Sequence, residues 1–247
     1  MGQTKNSLYP LFWQHGEKEE ELREEIGKMQ EGGIGGFIVE SRPHPDYLSY
    51  GWWRDLEVIL SEAERRQMEV WIFDDGAYPS GLGGGKVKAL YPEVCKRYIA
   101  KRQIDAQGPL PGASFQIAPW LEEGEALYRV IAGKRAGGRE ALEEGSLVDL
   151  TQAVTAGRLY WDIPAGDWRV FLLVVTRNGG EEWTKDYVNP ISYEAVGRFI
   201  DVVYEEHYRR FGDRFGKTVK GFFVDEPRFG STATYERVLG TDGHVYP

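Results

Sequence analysis

The first hundred residues alternate between short apolar runs and longer amphipathic segments, a pattern typical of an α/β domain. Apolar runs at 8–14, 36–40 and 68–73 predict three strands. Segments 17–30 and 52–66, in which apolar residues recur at helical spacing, predict the helices between them. Because strands joined through helices pair in parallel with right-handed crossovers, we expect these strands in one parallel sheet.

The pattern changes after the third strand. A glycine-rich loop at 78–85 precedes a predicted helix that extends to about Lys101, and short alternating segments with Gly and Pro turns then continue to about Asn178. We expect β segments at 114–117, 127–132, 146–150, 158–163 and 168–175, with 159–170 forming a hairpin that has a four-residue turn. The helical pattern resumes with Ser192 as the predicted N-cap and extends to Phe211, and 219–224 predicts a fourth strand.

These elements predict an α/β fold class, a partial (β/α)8 TIM barrel of about four βα units with a small all-β insertion. The expected domains are 1–101 for strands one to three, 102–178 for the inserted β module and 179–247 for the continuation of the barrel. A complete barrel typically takes about 250 residues. Since the insertion occupies part of the 247 residues, we expect a truncated sequence whose remaining strands lie beyond Pro247.

Charge and composition narrow the classes of function. The 39 acidic and 30 basic residues give a net charge of −9, which argues against a nucleic-acid partner because phosphate binding needs a basic surface. The 8 Trp, 14 Tyr and 11 Phe could stack on sugars, although an aromatic core explains them equally well. The single cysteine, Cys95, excludes an intramolecular disulfide and is expected to be a buried apolar residue. No apolar segment predicts a leader or membrane span, so we expect a cytoplasmic protein without a membrane partner.

Each of the four predicted strands is followed by ionisable residues that could act in catalysis or ligand binding. These are His15 after strand one, Glu40 and Arg42 after strand two, Asp74 and Asp75 after strand three, and Asp225 and Glu226 after strand four. The carboxyl ends of parallel strands meet on one rim, which is where (β/α)8 enzymes place their active sites. We therefore expect a shared site, against the alternative that loops after strands are simply polar.

Glu226 is the main catalytic candidate. A carboxyl group there, beside Asp225 and followed by Pro227, could donate a proton to a glycosidic oxygen, and glycosidases need a second carboxylate on the other side of the bond. A surface turn is the alternative for this segment. Asp74 and Asp75 could bind sugar hydroxyls, supply that second carboxylate or bind a hard cation, unless they cap a helix or a turn.

Aromatic residues near these strand ends are candidates for sugar stacking. Trp13, Trp52 and Tyr78 are the predicted platforms, and His15, Glu40 and Arg42 are expected to line the same sugar site. Other chemistries lack their motifs. The spacing of the four histidines is not that of a zinc site, the glycine loop matches neither nucleotide-binding glycine motif, and no Gly-x-Ser-x-Gly elbow is present.

Several segments together resemble a known family over about 8–100 and 183–229. They are Phe12–Gly16, Gly33–Phe37, Trp52–Trp53, Val70–Asp75 continuing into Tyr78–Gly81, and Phe222–Pro227. They resemble the N-terminal barrel half of large bacterial glycoside hydrolases, in particular the α-L-rhamnosidase-like proteins of glycoside hydrolase family 106.

The resemblance implies a TIM-barrel catalytic domain that acts on an oligosaccharide or other α-glycoside. It implies Glu226 as the catalytic acid and a second carboxylate in later strands. It implies no organic cofactor and is compatible with a calcium ion near the sugar. Two alternatives stay open: a carbohydrate-binding fragment that is catalytically incomplete, and a metal-dependent barrel hydrolase whose metal is held by His15 or His44.

Overall fold

The chain folds into two compact units, each with its own hydrophobic core. The computed structural model describes residues 8–137, 140–178, 185–228 and 245–246. Within these residues the first unit comprises 8–95 and 186–228, and the second comprises 96–137, 140–178, 185 and 245–246. None of the helices in the described ranges combines the length and the apolar character needed to cross a membrane.

The first unit is built on a four-stranded parallel sheet. With strands numbered along the chain, its members are β1 (Leu11–Gln14), β2 (Gly36–Ser41), β3 (Glu69–Phe73) and β9 (Val219–Phe223), in the order β1-β2-β3-β9. Its α-helices are α1 (Glu19–Glu31), α2 (Tyr50–Arg65), α3 (Lys86–Leu90) and α4 (Tyr193–Phe211). These strands and the three longer helices confirm the predicted elements to within three residues at each end.

Helical amphipathicity explains how this unit closes its core. The apolar faces of α1, α2 and α4 supply buried residues such as Leu22, Leu56 and Phe199, which join Val39 and Ile72 from the sheet in one cluster. The predicted N-cap is confirmed, since the Ser192 hydroxyl accepts the N–H of Ala195 at 3.3 Å. The helices therefore fix the sheet from which the strand-end residues project.

The second unit is an antiparallel sheet with the strand order β10-β4-β8-β5-β6, and β7 pairs with β8. Its strands are β4 (Tyr98–Gln116), β5 (Ala126–Lys134), β6 (Val148–Asp149), β7 (Val154–Thr155), β8 (Arg158–Thr176) and β10 (Val245–Tyr246). The long strands β4 and β8 pair along their whole length, and one face of the sheet packs on a core that includes Val130, Leu159 and Leu172.

Two local predictions in this part of the chain are wrong. The residues predicted as a helix to Lys101 form only α3 and a 3₁₀ turn at Pro92–Val94, and Tyr98 already pairs with Thr176 in the sheet. The predicted hairpin at 159–170 is instead one continuous strand. The extra residues at Pro164–Ala165 form a bulge opposite Gly108–Leu110, where a side chain at Gly108 would clash with the Pro164 carbonyl oxygen.

The predicted fold class is also wrong. The larger sheet is the six-stranded antiparallel one, so the β region is a compact unit of its own and not a small insertion in a barrel. The parallel sheet has four strands with β1 and β9 as its outer members, and the described residues contain four α-helices. Alternating strands and helices predict parallel pairing, but closure into a barrel also depends on strand number and stagger, which the alternation does not encode.

Candidate active site

The four parallel strands present their carboxyl ends at one edge of the sheet, and most of the predicted site residues lie there. Neighbouring strands in a sheet are about 4.8 Å apart, so β2 and β9, with β3 between them, have backbones roughly 10 Å apart. The side chains at this edge form three separate groups: one at β1 and β2, one after β3, and one after β9.

The first group is the Trp13–Glu40–Arg42 cluster. Glu40 is buried, with 2 % of its surface exposed, and both of its oxygens are bonded. Oε1 accepts from Nη1 of Arg42 at 2.5 Å, and Oε2 accepts the indole N–H of Trp13 at 3.1 Å. The Arg42 guanidinium also lies over the Trp13 ring, 5.1 Å from its centroid. Glu40 therefore positions the exposed Trp13 and the half-buried Arg42 and has little surface to offer a sugar.

Asp75 organises the glycine-rich loop that follows β3. Its buried carboxylate accepts five backbone N–H groups at 2.6 to 2.8 Å, from Gly76, Gly81, Leu82, Gly83 and Gly84. Burial raises the pKa of Asp75 to about 6, while the N–H donors act in the opposite direction. Because Asp75 is fully buried and both oxygens are bonded to backbone N–H groups, this carboxylate shapes the loop and has no free oxygen at the surface.

Asp74 is buried beneath the strand ends and is bonded to two hydroxyl groups. Its oxygens accept from Ser80 Oγ and, at 2.6 Å, from Tyr204 Oη of α4. Burial raises the pKa of Asp74, the two hydroxyl donors lower it, and the nearby Asp225 raises it further. Ser80 also ties the loop to β9, since its hydroxyl accepts the N–H of Asp225 at 2.9 Å and its own N–H donates to the Asp225 carbonyl at 3.0 Å.

The third group is the Tyr78–Glu226 pair. Glu226 is exposed and has a positive φ of 41°, a backbone conformation that is unusual for a residue with a side chain. The hydroxyl of Tyr78 donates to Oε2 of Glu226, and this hydrogen bond raises the pKa of Tyr78. Tyr78 was predicted as a stacking platform, whereas its hydroxyl is placed to orient the predicted catalytic acid.

Two predicted residues lie apart from these groups. Trp52 is fully buried and donates its indole N–H to Nε2 of His207 at 3.0 Å, so its ring has no face open to a ligand. His15 is exposed and pairs with Glu17 at 2.9 Å. Sequence reasoning in turn missed Ser80 and Tyr204, although a tyrosine on the core face of a helix needs a partner for its hydroxyl and so could have been suspected.

The described residues do not fit a metal site. They contain no group of three or more His, Cys, Asp or Glu side chains that could hold a metal ion. The oxygens of Asp74 and Asp75 are taken by protein donors, and His44, the other predicted metal ligand, is buried in a pair with Asp55 at 2.9 Å.

A cavity of about 720 Å³ lies beside the strand ends, between α4 and β9. Its walls are largely apolar, with Phe199, Ile200 and Phe222 among them, and Asp74 lies at its border. Glu226 and the Trp13–Glu40–Arg42 cluster do not line it. The Tyr78–Glu226 pair and the Trp13–Glu40–Arg42 cluster thus lie outside this cavity, whose polar lining includes Asp74, Ser80 and Tyr204.

Comparison with known proteins adds a similarity of fold. No family model matches the chain, and no curated protein matches it. Among solved structures, the chain is similar to a rhamnosidase from Novosphingobium sp. PP1Y, with a TM-score of 0.57 and 12% sequence identity over 93% of this chain. The chain spans 39% of the length of that rhamnosidase. At this identity the similarity concerns the fold alone, which is therefore like part of a glycoside hydrolase.

Proposed function

We propose that the protein hydrolyses glycosidic bonds, with Glu226 as the proton donor and α-L-rhamnosides as the first substrates to test. The observation that carries the proposal is the Tyr78–Glu226 pair, an exposed carboxyl group on strained backbone at the carboxyl end of a parallel strand. Strained backbone is enriched at functional sites because surrounding structure has to maintain it. The fold similarity to a rhamnosidase supports the same class of reaction.

In this proposal Glu226 protonates the oxygen of the leaving group as the bond from that oxygen to the anomeric carbon breaks. Tyr78 Oη donates to Oε2, which leaves Oε1 as the oxygen that carries the proton to be transferred. Tyr78 in turn belongs to the loop held by Asp75 and by the Ser80–Asp225 bonds. The proton donor is therefore oriented by a chain of contacts that begins at a buried carboxylate.

A glycosidase of this kind also needs a carboxylate on the opposite face of the sugar. Asp75 and Glu40 are buried with both oxygens bonded, and Asp74 is bonded to Ser80 and Tyr204. Glu17, after β1, is bonded to His15, so of the described carboxylates that directly follow the four strands the half-buried Asp225 remains beside Glu226. Because the two are adjacent on one strand end, we do not assign the second role to Asp225.

Leaving-group dependence tests the role of Glu226. Protonation matters most when the leaving group is a poor one, so Glu226→Gln should lower kcat/KM by about 10²-fold or more on alkyl rhamnosides. The same variant should lose far less on a dinitrophenyl rhamnoside, whose leaving group needs no proton. Glu144→Gln, at an exposed position of the second unit, is the control and should match the unchanged protein on both substrates.

The proposal fails if Glu226→Gln reduces activity equally for good and poor leaving groups. Equal loss would mean that the residue acts in folding or binding and not in proton donation. If no aryl glycoside in a panel of common sugars is turned over, the hydrolytic proposal as a whole is rejected.

The scarcity of a second carboxylate favours one other function, carbohydrate binding without hydrolysis. The exposed Trp13 and the donors of Arg42 could bind a sugar whether or not Glu226 acts on it. Calorimetric titration separates the two functions, since a binding protein would give a measurable Kd for a sugar and no turnover, and its Kd would not depend on Glu226.

A further inference from the structure

The Trp13–Glu40–Arg42 cluster has a chemistry that the proposed proton donor does not use. Arg42 donates to Glu40 through one nitrogen, Nη1, and its Nε and Nη2 have no hydrogen-bond partner among the described residues. The Arg42 side chain is 37% exposed. A guanidinium fork with free donors matches the two oxygens of a carboxylate, and this geometry distinguishes arginine from lysine.

The indole of Trp13 lies beside these donors and is held rigidly. Glu40 fixes its N–H, and Arg42 lies over the ring, yet 49% of the Trp13 surface remains exposed. A fixed aromatic ring offers its remaining apolar surface to the C–H face of a sugar with little loss of side-chain entropy. The cluster therefore combines the stacking surface of Trp13 with a guanidinium group, that of Arg42, whose remaining N–H donors can bind a ligand.

We infer that the Trp13–Glu40–Arg42 cluster is a subsite for a uronic acid residue of the glycan, with the sugar carboxylate on Arg42 and the ring against Trp13. The inference rests on the proposed function and specifies its substrate class. Glu40 is the positioning residue: it is buried, bonded to both partners and unable to face the ligand itself.

Charge placement along the edge agrees with this assignment. The carboxylates of Asp225 and Glu226 follow β9, whereas Arg42 follows β2, and the two backbones are roughly 10 Å apart. That separation is comparable to the Debye length at physiological ionic strength, so repulsion between a bound uronate and these carboxylates is largely screened. An oligosaccharide of two or more units could therefore place a uronate at Arg42 and a neutral sugar at Glu226.

The test is a binding measurement in the Glu226→Gln background, where turnover of a sugar leaving group should be slowed by about 10²-fold or more. Isothermal titration would compare digalacturonate with its dimethyl ester and with galactobiose, and sodium acetate would serve as a carboxylate without a sugar. We expect digalacturonate to bind at least 10-fold more tightly than the ester or galactobiose, which corresponds to about 1.4 kcal/mol, and acetate to bind far more weakly. The comparison of digalacturonate with its ester changes the ligand and leaves Arg42 in place, so it remains valid even if a substitution at Arg42 impairs folding.

Substitutions at Arg42 test whether this residue causes the preference for the acid over the ester. Arg42→Gln should remove the preference for the acid over the ester, and Arg42→Lys should restore only part of it because the fork is lost. Arg129→Gln is a matched control, since Arg129 lies over Tyr128 at 5.5 Å and pairs with Asp149 at 3.1 Å in the second unit. This control should keep the full preference.

Equal affinity for the acid and the ester, or acetate binding as tight as that of the uronide, would overturn the inference. So would a preference that survives Arg42→Gln. These outcomes are distinct from failure of the proposed hydrolysis, because Glu226-dependent turnover of neutral glycosides without uronate binding rejects only the subsite. Conversely, Arg42-dependent uronate binding without turnover rejects only the hydrolysis.

Discussion

Replacing Asp75 by asparagine tests how the loop that carries Tyr78 is held in place. In the unchanged protein Oδ2 accepts the N–H groups of Gly81, Leu82 and Gly83, and Oδ1 accepts those of Gly76 and Gly84. Asparagine has one oxygen and one NH₂ group. In its best orientation the oxygen serves the three donors, and the NH₂ then faces two N–H groups that have no acceptor.

The expected loss of stability follows from these bonds. The N–H of Gly76 is buried and that of Gly84 is partly buried, and a buried N–H without a partner costs about 1–3 kcal/mol. The three bonds that remain also lose the strength they gained from an ionised acceptor. Removing a buried charge offsets part of this cost. We therefore expect the free energy of unfolding of the first unit to fall by about 3–5 kcal/mol at pH 7.5, where Asp75 is ionised because its pKa is about 6.

Hydrogen exchange measured by mass spectrometry gives a local readout, because the amides of 81–84 are themselves the donors. In Asp75→Asn these amides should exchange faster by at least 10²-fold, and urea unfolding should report the loss for the whole unit. The control is Asp162→Asn in the second unit. Asp162 is exposed and accepts one N–H, that of Gly112, at 2.6 Å, so its loss should cost less than about 1 kcal/mol.

A loss below about 1 kcal/mol in Asp75→Asn, with exchange of 81–84 unchanged, would refute the argument that this carboxylate holds the loop. A loss of stability with unchanged exchange would place the effect elsewhere in the unit. Faster exchange should be accompanied by reduced activity on poor leaving groups, because Tyr78 would no longer be fixed against Glu226.

Three further predictions concern stability. Burial lowers the pKa of His207 from 6.5 to about 4, so its contribution to the free energy of unfolding is present above pH 6.5 and is lost as the pH falls to about 4. Urea unfolding should show a loss of about 3 kcal/mol over this range. The loss should be absent in His207→Gln and retained in the control His15→Asn. Hydrogen bonds from arginines, Arg65 first, lower the pKa of Glu62 from 4.5 to about 2, so stability should also fall below pH 4.5. Glu62→Gln should cost about 2 kcal/mol at pH 7 and make that slope shallower. Gly108→Ala should lower stability by about 3 kcal/mol in thermal unfolding because the new methyl would meet the Pro164 carbonyl oxygen, and a change under about 0.5 kcal/mol would contradict the close approach.

Hydrophobic periodicity predicted the parts of the fold that depend on local sequence. Helix α4 follows from Ser192 and the apolar positions after it, and the buried parallel strands follow from short apolar runs such as 36–40. The polar ends of those strands were likewise visible, and the parallel sheet brings them to one edge. These features are properties of neighbouring residues along the chain.

The errors concern features that depend on distant partners. The Pro164–Gly166 segment has the residues of a turn, but β4 supplies a matching irregularity at Gly108 that allows β8 to continue. Asp75 looked like a ligand because the sequence does not indicate which N–H groups its carboxylate will meet. Tyr204 contacts Asp74 across 130 positions, a pairing that no local pattern contains.

The sequence separation between β3 and β9 has a consequence for how the protein is made. Val70 pairs with Val219, and the 96–185 part of the second unit is synthesised between these two strands. At about 5–20 residues per second, β3 waits on the order of ten seconds on the ribosome before its neighbour emerges. The second unit pairs β4 with β8 over a shorter stretch and can close first, so the buried strand β3 needs protection during synthesis. Pulse-labelled nascent chains should therefore gain protease resistance in 98–176 before they gain it in 36–73.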